Sequence, residues 1–163
     1  MLDCSGNSGC AGGTIPATLA YAAAHGLCAA SAYPYVASQT ACQQAACAAV
    51  VKPSAFVYVD CCADAALEAA VREGAVVVAI CTSDAAFQSY GGGVFTGPCC
   101  TAVDHSVAVV GFGTDAPSGL DFWLLKNSWG SRWGEGGFMR LARGAAYGPS
   151  GACGLLQYPA RPI

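Results

Sequence analysis

Two stretches of this 163-residue chain carry residue types that can do chemistry together. The first is Val103-Asp104-His105-Ser106-Val107-Ala108-Val109-Val110-Gly111-Phe112-Gly113, which sets a histidine at the mouth of an apolar run. The second runs from Trp123 to Phe138 and sets Asn127 at the end of another apolar run, with Trp129 and Trp133 close behind it. A histidine titrates near physiological pH and can serve as a general base. That role needs the ring held in one tautomer. An asparagine side-chain carbonyl can accept one ring N–H and leave the other nitrogen to take a proton from a nucleophile. If the two strands pair, Asn127 is one hairpin away from His105, and Trp129 can cover their bond from water.

Elements that could position these residues are readable from pattern. Residues 1–13 are rich in Gly and Ser and read as loop, and Gly12-Gly13 lets backbone come close to something else. Thr14 suits a helix N-cap, Pro16 its first turn and Gly26 its end, which predicts a helix over 15–24 with Leu19 and Ala22 or Ala23 on one face. Tyr33-Pro34-Tyr35 is extended, and 36–53 read as loop. From residue 54 the texture changes. Strands are predicted at 55–59, 76–80, 105–113, 122–127 and 137–142, with Val94-Phe95 following a glycine run. Asp64 to Glu73 reads as a short helix closed by Gly74, and Asp84 to Tyr90 as a helical turn. Strand spacing and tight Gly-rich turns point to an antiparallel barrel or sandwich after residue 53.

Composition narrows the function classes. Apolar residues make up 55% of the chain, much of it Ala and Cys. The longest apolar runs, such as Ala75 to Cys81, fall far short of the ~18 residues of a spanning helix. Residues 1–4 have neither a basic start nor an apolar stretch, so no signal peptide is read there. A net charge of −3 with no basic stripe gives no footprint for nucleic acid. Eleven cysteines and two histidines lack paired Cys-x-x-Cys spacing, which argues for disulfides in an oxidising compartment and against a zinc site. No metal or cofactor is expected.

The two stretches together resemble the papain-like cysteine proteases, the plant papain and lysosomal cathepsin family. The likeness continues through Leu-Asp-Cys at 2–4, Gly-Cys-Ala-Gly-Gly at 9–13, Tyr-Pro-Tyr at 33–35, Tyr-Gly-Gly-Gly-Val-Phe-Thr-Gly-Pro-Cys at 90–99 and Ser-Gly-Ala-Cys-Gly-Leu at 150–155, in family order. The resemblance implies an α+β papain-like fold, with residues 1–53 a remnant of the helical left domain and 54–163 the antiparallel β-barrel right domain. It implies a cysteine-type peptidase acting on peptide or protein substrates by a Cys-His-Asn mechanism. His105 would be the base, Asn127 its orienting partner and Trp129 the shield. Gly12 and Gly13 would be the backbone edge for an extended substrate. Asp104 would offer its backbone near the scissile bond, and Ala79 and Val103 would line a pocket for an apolar side chain, with Tyr158 near its base. The resemblance also implies disulfides Cys4–Cys42 and Cys99–Cys153, with Cys100 a rival for Cys99 and Cys10 an orphan. Cys28, Cys47, Cys61, Cys62 and Cys81 receive no assignment from it.

One part of the family pattern is missing. Its nucleophile is a cysteine followed by an aromatic residue, and none of the eleven cysteines here precedes one. The family spacing puts the nucleophile ~25–45 positions before Met1, together with the glutamine that donates to the oxyanion. The chain as given is therefore expected to be truncated and inactive alone. It is expected to expose apolar surface on the 14–25 helix and on one side of the barrel, to be aggregation-prone or need a partner, and to depend on a missing N-terminal segment or propeptide. The alternatives are a non-catalytic homologue that binds peptides or proteins and, third, a cysteine-rich metal or redox protein sharing the barrel. A lysosome-like, vacuolar or extracellular setting follows from family and cysteine usage.

Overall fold

The computed structural model describes all 163 residues. The chain divides into two compact units, one of Met1–Val57 with Pro162–Ile163 and one of Tyr58–Arg161.

In the first unit the main element is α1, Ile15–His25. Thr14 caps it by accepting the Ala17 N–H at 3.4 Å, and Gly26 leaves it at φ +72°, where a side chain would be strained. Leu19 and Ala22 are its buried residues. Large apolar side chains exposed in this unit include Tyr35, Val36, Val50 and Val51. Asn7 pins the opening loop onto α1 by accepting the Thr14 N–H and donating to Thr18 Oγ1, both at 3.0 Å. The strands β1 (Leu27–Cys28) and β2 (Ala49–Val51) pair antiparallel, and β2 lies within the 36–53 stretch that the sequence reads as loop. Disulfides join Cys4 to Cys42 and Cys28 to Cys47.

The chain passes into the second unit through β3, Phe56–Tyr58. There follow α2 (Asp64–Glu73), β4 (Val76–Ile80), α3 (Ala85–Gln88), β5 (Val94–Phe95), β6 (His105–Thr114), β7 (Asp121–Lys126), β8 (Phe138–Ala142) and β9 (Ala160–Pro162). The class is α+β. Seven strands form one sheet in the linear order β3-β9-β4-β6-β7-β8-β5. The sequence predicts an antiparallel barrel or sandwich; here β5 joins β8 in parallel, and the hydrogen-bonded order runs linearly from β3 to β5. Gly91-Gly92-Gly93 lets the chain turn onto that edge, and Glu135 fixes the turn by accepting the Gly93 N–H at 3.0 Å.

Alternation along the central strands explains the core. Val76, Val78 and Ile80 of β4 are buried, while Val77 and Ala79 are only partly so. Val76 pairs with Val109, Val78 with Val107 and Ile80 with His105, so these residues stack as rows on one face. Trp123 and Leu125 of β7, and Met139 and Leu141 of β8, continue that face. An irregularity between Val109 and Gly111 leaves Val110 outside the ladder. It resets the parity of β6, so that Phe112 packs edge-on to Trp123.

Candidate active site

The buried rows lead to the site. His105 opens β6 on the face of Val107 and Val109, and Asn127 follows Leu125 by one step of the period-two alternation on the next strand. The Asn127 N–H donates to the Gly137 carbonyl at 3.0 Å, which continues the pairing with the β8 side past Lys126. A one-residue slip of β7 would carry the amide to the other face of the sheet.

Asn127 Oδ1 lies 2.9 Å from His105 Nε2. It also accepts the backbone N–H of Ser128 at 2.8 Å. A backbone N–H can only donate, so the amide oxygen must face it, and the same oxygen then requires a hydrogen on His105 Nε2. The ring is thereby held as the Nε2–H tautomer when neutral, with Nδ1 left as the acceptor. Asn127 Nδ2 is buried without a hydrogen-bond partner. Such a group costs about 1–3 kcal/mol, so the amide is not placed for stability alone.

Trp129 lies over the imidazole, with ring centroids 5.2 Å apart at 34°. The tryptophan is itself held edge-on by Trp133 at 5.2 Å and Phe87 at 5.9 Å. Trp133 stacks on Phe87 and donates its Nε1–H to the Gln88 carbonyl at 2.9 Å. Trp129 keeps 39% of its surface exposed, so it forms a lid whose outer side remains wet. Sequence reading identified Trp129 but not Phe87, whose spacing in a short helical turn gives no chemical signal.

Asp104, the residue before the histidine, is gripped through its side chain. Oδ1 accepts the Thr82 N–H at 2.8 Å and Thr82 Oγ1–H at 3.0 Å, and Oδ2 accepts the Ser83 hydroxyl. Its own N–H donates to the Ile80 carbonyl at 3.1 Å. Partial desolvation pushes the carboxyl up, but the bonds from Ser83 and Thr82, with the neighbouring His105, outweigh it and hold Asp104 below the usual carboxylate range. Thr82 and Ser83 were not among the sequence candidates. Only the fold brings them from the end of β4 to the start of β6.

Of the remaining candidates, Ala79 pairs with Ser106, and both sit on the sheet face away from the buried rows. Val103 is half-buried against Gly154, and Tyr158 is exposed. Gly12 and Gly13 are exposed in the first unit, and Gly12 has a φ of +113° with open space where a side chain would start. Behind Asp104, disulfides join Cys81 to Cys100 and Cys99 to Cys153, and the Cys81 N–H donates to the Cys153 carbonyl at 2.9 Å. The first of these pairs has no precedent in the sequence reading. Cys10, Cys61 and Cys62 are free and exposed. No group of three or more His, Cys, Asp or Glu side chains is arranged to hold a metal.

A histidine held by an asparagine under a tryptophan, at adjacent strand ends of an α+β fold, is an arrangement chemically suited to a general base and its orienting partner. Comparison with known proteins gives the family. The family described as papain family cysteine protease matches residues 1–163, and the chain belongs to it. Fruit bromelain of Ananas comosus is 36% identical over 163 residues, covering 99% of this chain and 46% of the bromelain. Cysteine endopeptidase Rep1 of Oryza sativa subsp. japonica is 40% identical over 168 residues, covering all of this chain and 45% of Rep1. This chain thus spans about half the length of the curated relatives it matches. Among solved structures, the bromelain protease from Ananas comosus in complex with the E64 inhibitor superposes with a TM-score of 0.94 at 33% identity, covering 99% of this chain and 74% of that one. The proform of Amb a 11, a ragweed pollen cysteine protease, gives a TM-score of 0.93 at 36% identity over 99% of this chain and 49% of that one.

Proposed function

We propose that this chain is the base-bearing portion of a papain-like cysteine peptidase that hydrolyses peptide bonds in the complete protein. The observation that carries the reading is the Asn127 Oδ1 contact to His105 Nε2 at 2.9 Å, with the amide's orientation fixed by Ser128. That arrangement frees Nδ1 for proton transfer. Nδ1 takes the proton of a cysteine thiol supplied from upstream of Met1. The thiolate attacks the scissile carbonyl, and the imidazolium returns the proton to the leaving amine. A thioester remains. His105 then activates water to cleave it and restore the thiol.

Gly12 and Gly13 would pair with an extended substrate backbone, and Ala79 and Val103 would meet an apolar side chain. Asp104 would offer its backbone near the scissile bond, and Trp129 would keep water from the His105–Asn127 bond. Without an upstream thiol and oxyanion donor, residues 1–163 alone are inactive. The Amb a 11 structure is a proform, which supports a propeptide or N-terminal segment as a partner here too. Four disulfides favour a vacuolar, lysosome-like or extracellular setting.

The reading frame upstream of Met1 decides the matter, followed by expression of the longer protein and treatment with a thiol-directed epoxide. Expected is a Gln and then a Cys-x-x-Cys-Trp-like segment upstream, with one epoxide bound at the second cysteine. An open upstream frame without that segment, no epoxide label and measurable peptide binding would replace the peptidase reading by the non-catalytic binding module.

A further inference from the structure

Cys61 and Cys62 are adjacent in sequence, exposed and outside every disulfide. They lie in the turn between β3 and α2. Their sulfurs are 2.7 Å apart, well inside the contact distance of two unbonded sulfurs. Cys62 takes a φ of +72°, uncommon for any residue but glycine, and its N–H is tied to the Leu156 carbonyl at 3.2 Å. The backbone is therefore held where both side chains point to the same side.

We propose that Cys61 and Cys62 form a vicinal dithiol that closes reversibly to a disulfide, a redox site separate from the four structural bridges. The inference does not depend on the peptidase reading. The Cys61 thiolate attacks one sulfur of a low-molecular-weight disulfide, breaking its S–S bond; the other half leaves as a thiolate and takes up the proton Cys61 had lost. The Cys62 thiol then gives up its proton and attacks the Cys61 sulfur of the mixed disulfide, expelling the second half as a thiolate that takes up that proton. Two S–H groups are oxidised to one S–S bond, and the external disulfide is reduced to two thiols. Cys62 suits the second step. The adjoining Cys61 sulfur, and then partial desolvation, push its thiol up, so it keeps its proton longer.

Reversibility follows from covalent geometry. The Cα atoms of the four other bridges are 4.9, 6.0, 5.6 and 5.1 Å apart. Those of neighbouring residues are held at about 3.8 Å, below the ordinary disulfide minimum of about 4.4 Å. A bond across adjacent residues is strained and exposed, and such bonds are reduced first. The open pair also matches trivalent arsenicals, which bridge two nearby thiols.

The test equilibrates the folded full chain with glutathione redox buffers, alkylates it without further reduction and reads intact mass and peptides. Cys10→Ser removes the other free thiol as background. Expected is a joint loss of two alkyl groups as the buffer becomes oxidising, with a disulfide inside the peptide holding Cys61 and Cys62. Both groups should return at a reductant level that leaves the other four bridges closed. One equivalent of phenylarsine oxide should protect both thiols together. Cys62→Ser should lose that protection and instead retain glutathione on Cys61. Independent alkylation of the two thiols at every poise, or separate glutathione adducts on both, would overturn the proposal.

Discussion

Replacing Asn127 by alanine separates stability from tautomer control. The change removes Oδ1, which accepts from His105 Nε2 at 2.9 Å and from the Ser128 N–H at 2.8 Å. Two lost hydrogen bonds cost about 1–3 kcal/mol in total, at about 0.5–1.5 kcal/mol each. The same change deletes Nδ2, a buried donor without a partner, and relieves about 1–3 kcal/mol. The two effects oppose each other, so urea unfolding should show a net change of less than about 2 kcal/mol in either direction. The His105 ring should respond more clearly. Losing one bond worth about 0.5–1.5 kcal/mol shifts the Nε2–H to Nδ1–H ratio by roughly 2- to 13-fold. Long-range ¹H–¹⁵N correlation, at a pH where the ring is neutral, reads that ratio directly. The chain has only His25 and His105, and a His25→Asn variant assigns them. Asn127→Asp keeps an acceptor and should keep the Nε2–H tautomer. A ratio unchanged in Asn127→Ala, or a wild-type ring already Nδ1–H, would refute the claim that Asn127 sets the ring.

Three further outcomes follow from the geometry. Ser83→Ala should move the Asp104 titration up towards the ordinary carboxylate range, as read by ¹³C NMR. Asp104 is depressed in the folded state, so its contribution to stability is present at neutral pH and is lost as pH falls through its folded-state value. Acid unfolding of Ser83→Ala should therefore begin at higher pH, and an unmoved titration would remove Ser83 from the clamp. Arg140 donates to both oxygens of Glu135 and to Asp115, so Arg140→Ala should destabilise the protein by about 1–3 kcal/mol in urea and loosen the Gly93 turn. No measurable loss would show that solvent screens the cluster. The Cys99–Cys153 bridge spans 54 residues, which gives about 4 kcal/mol from chain entropy. The Cys99→Ser/Cys153→Ser double variant should lose a comparable amount in chemical unfolding, and an equal midpoint and slope would contradict the bridge.

What could be read from sequence divides by range. The helix over Ile15–His25 was legible because Thr14, Pro16 and Gly26 mark its ends locally. The strand that opens on His105 and the one that ends just before Asn127 were legible because long apolar runs fix their type. β1, β2 and β9 have two or three residues each, too short for an alternation signal, and exist because a partner strand is present. The parallel β5–β8 contact depends on where a glycine turn sends the chain. The irregularity at Val110 leaves no mark in composition. The His105–Asn127 pair was visible through residue types, but the grip of Thr82 and Ser83 on Asp104 was not, since side-chain clamps across a sheet have no sequence period. Cys81–Cys100 was hidden for a similar reason: cysteine counts do not specify connectivity.

The central claim is that His105 is the base of a thiol-dependent hydrolysis. Its most direct test is hydrolysis of a fluorogenic peptide by the protein expressed from the full reading frame, comparing wild type with His105→Ala. Loss of a general base predicts a fall in kcat of ~10²–10⁴-fold, with circular dichroism and the melting temperature close to wild type. Hydrolysis by His105→Ala at the wild-type rate would contradict the claim.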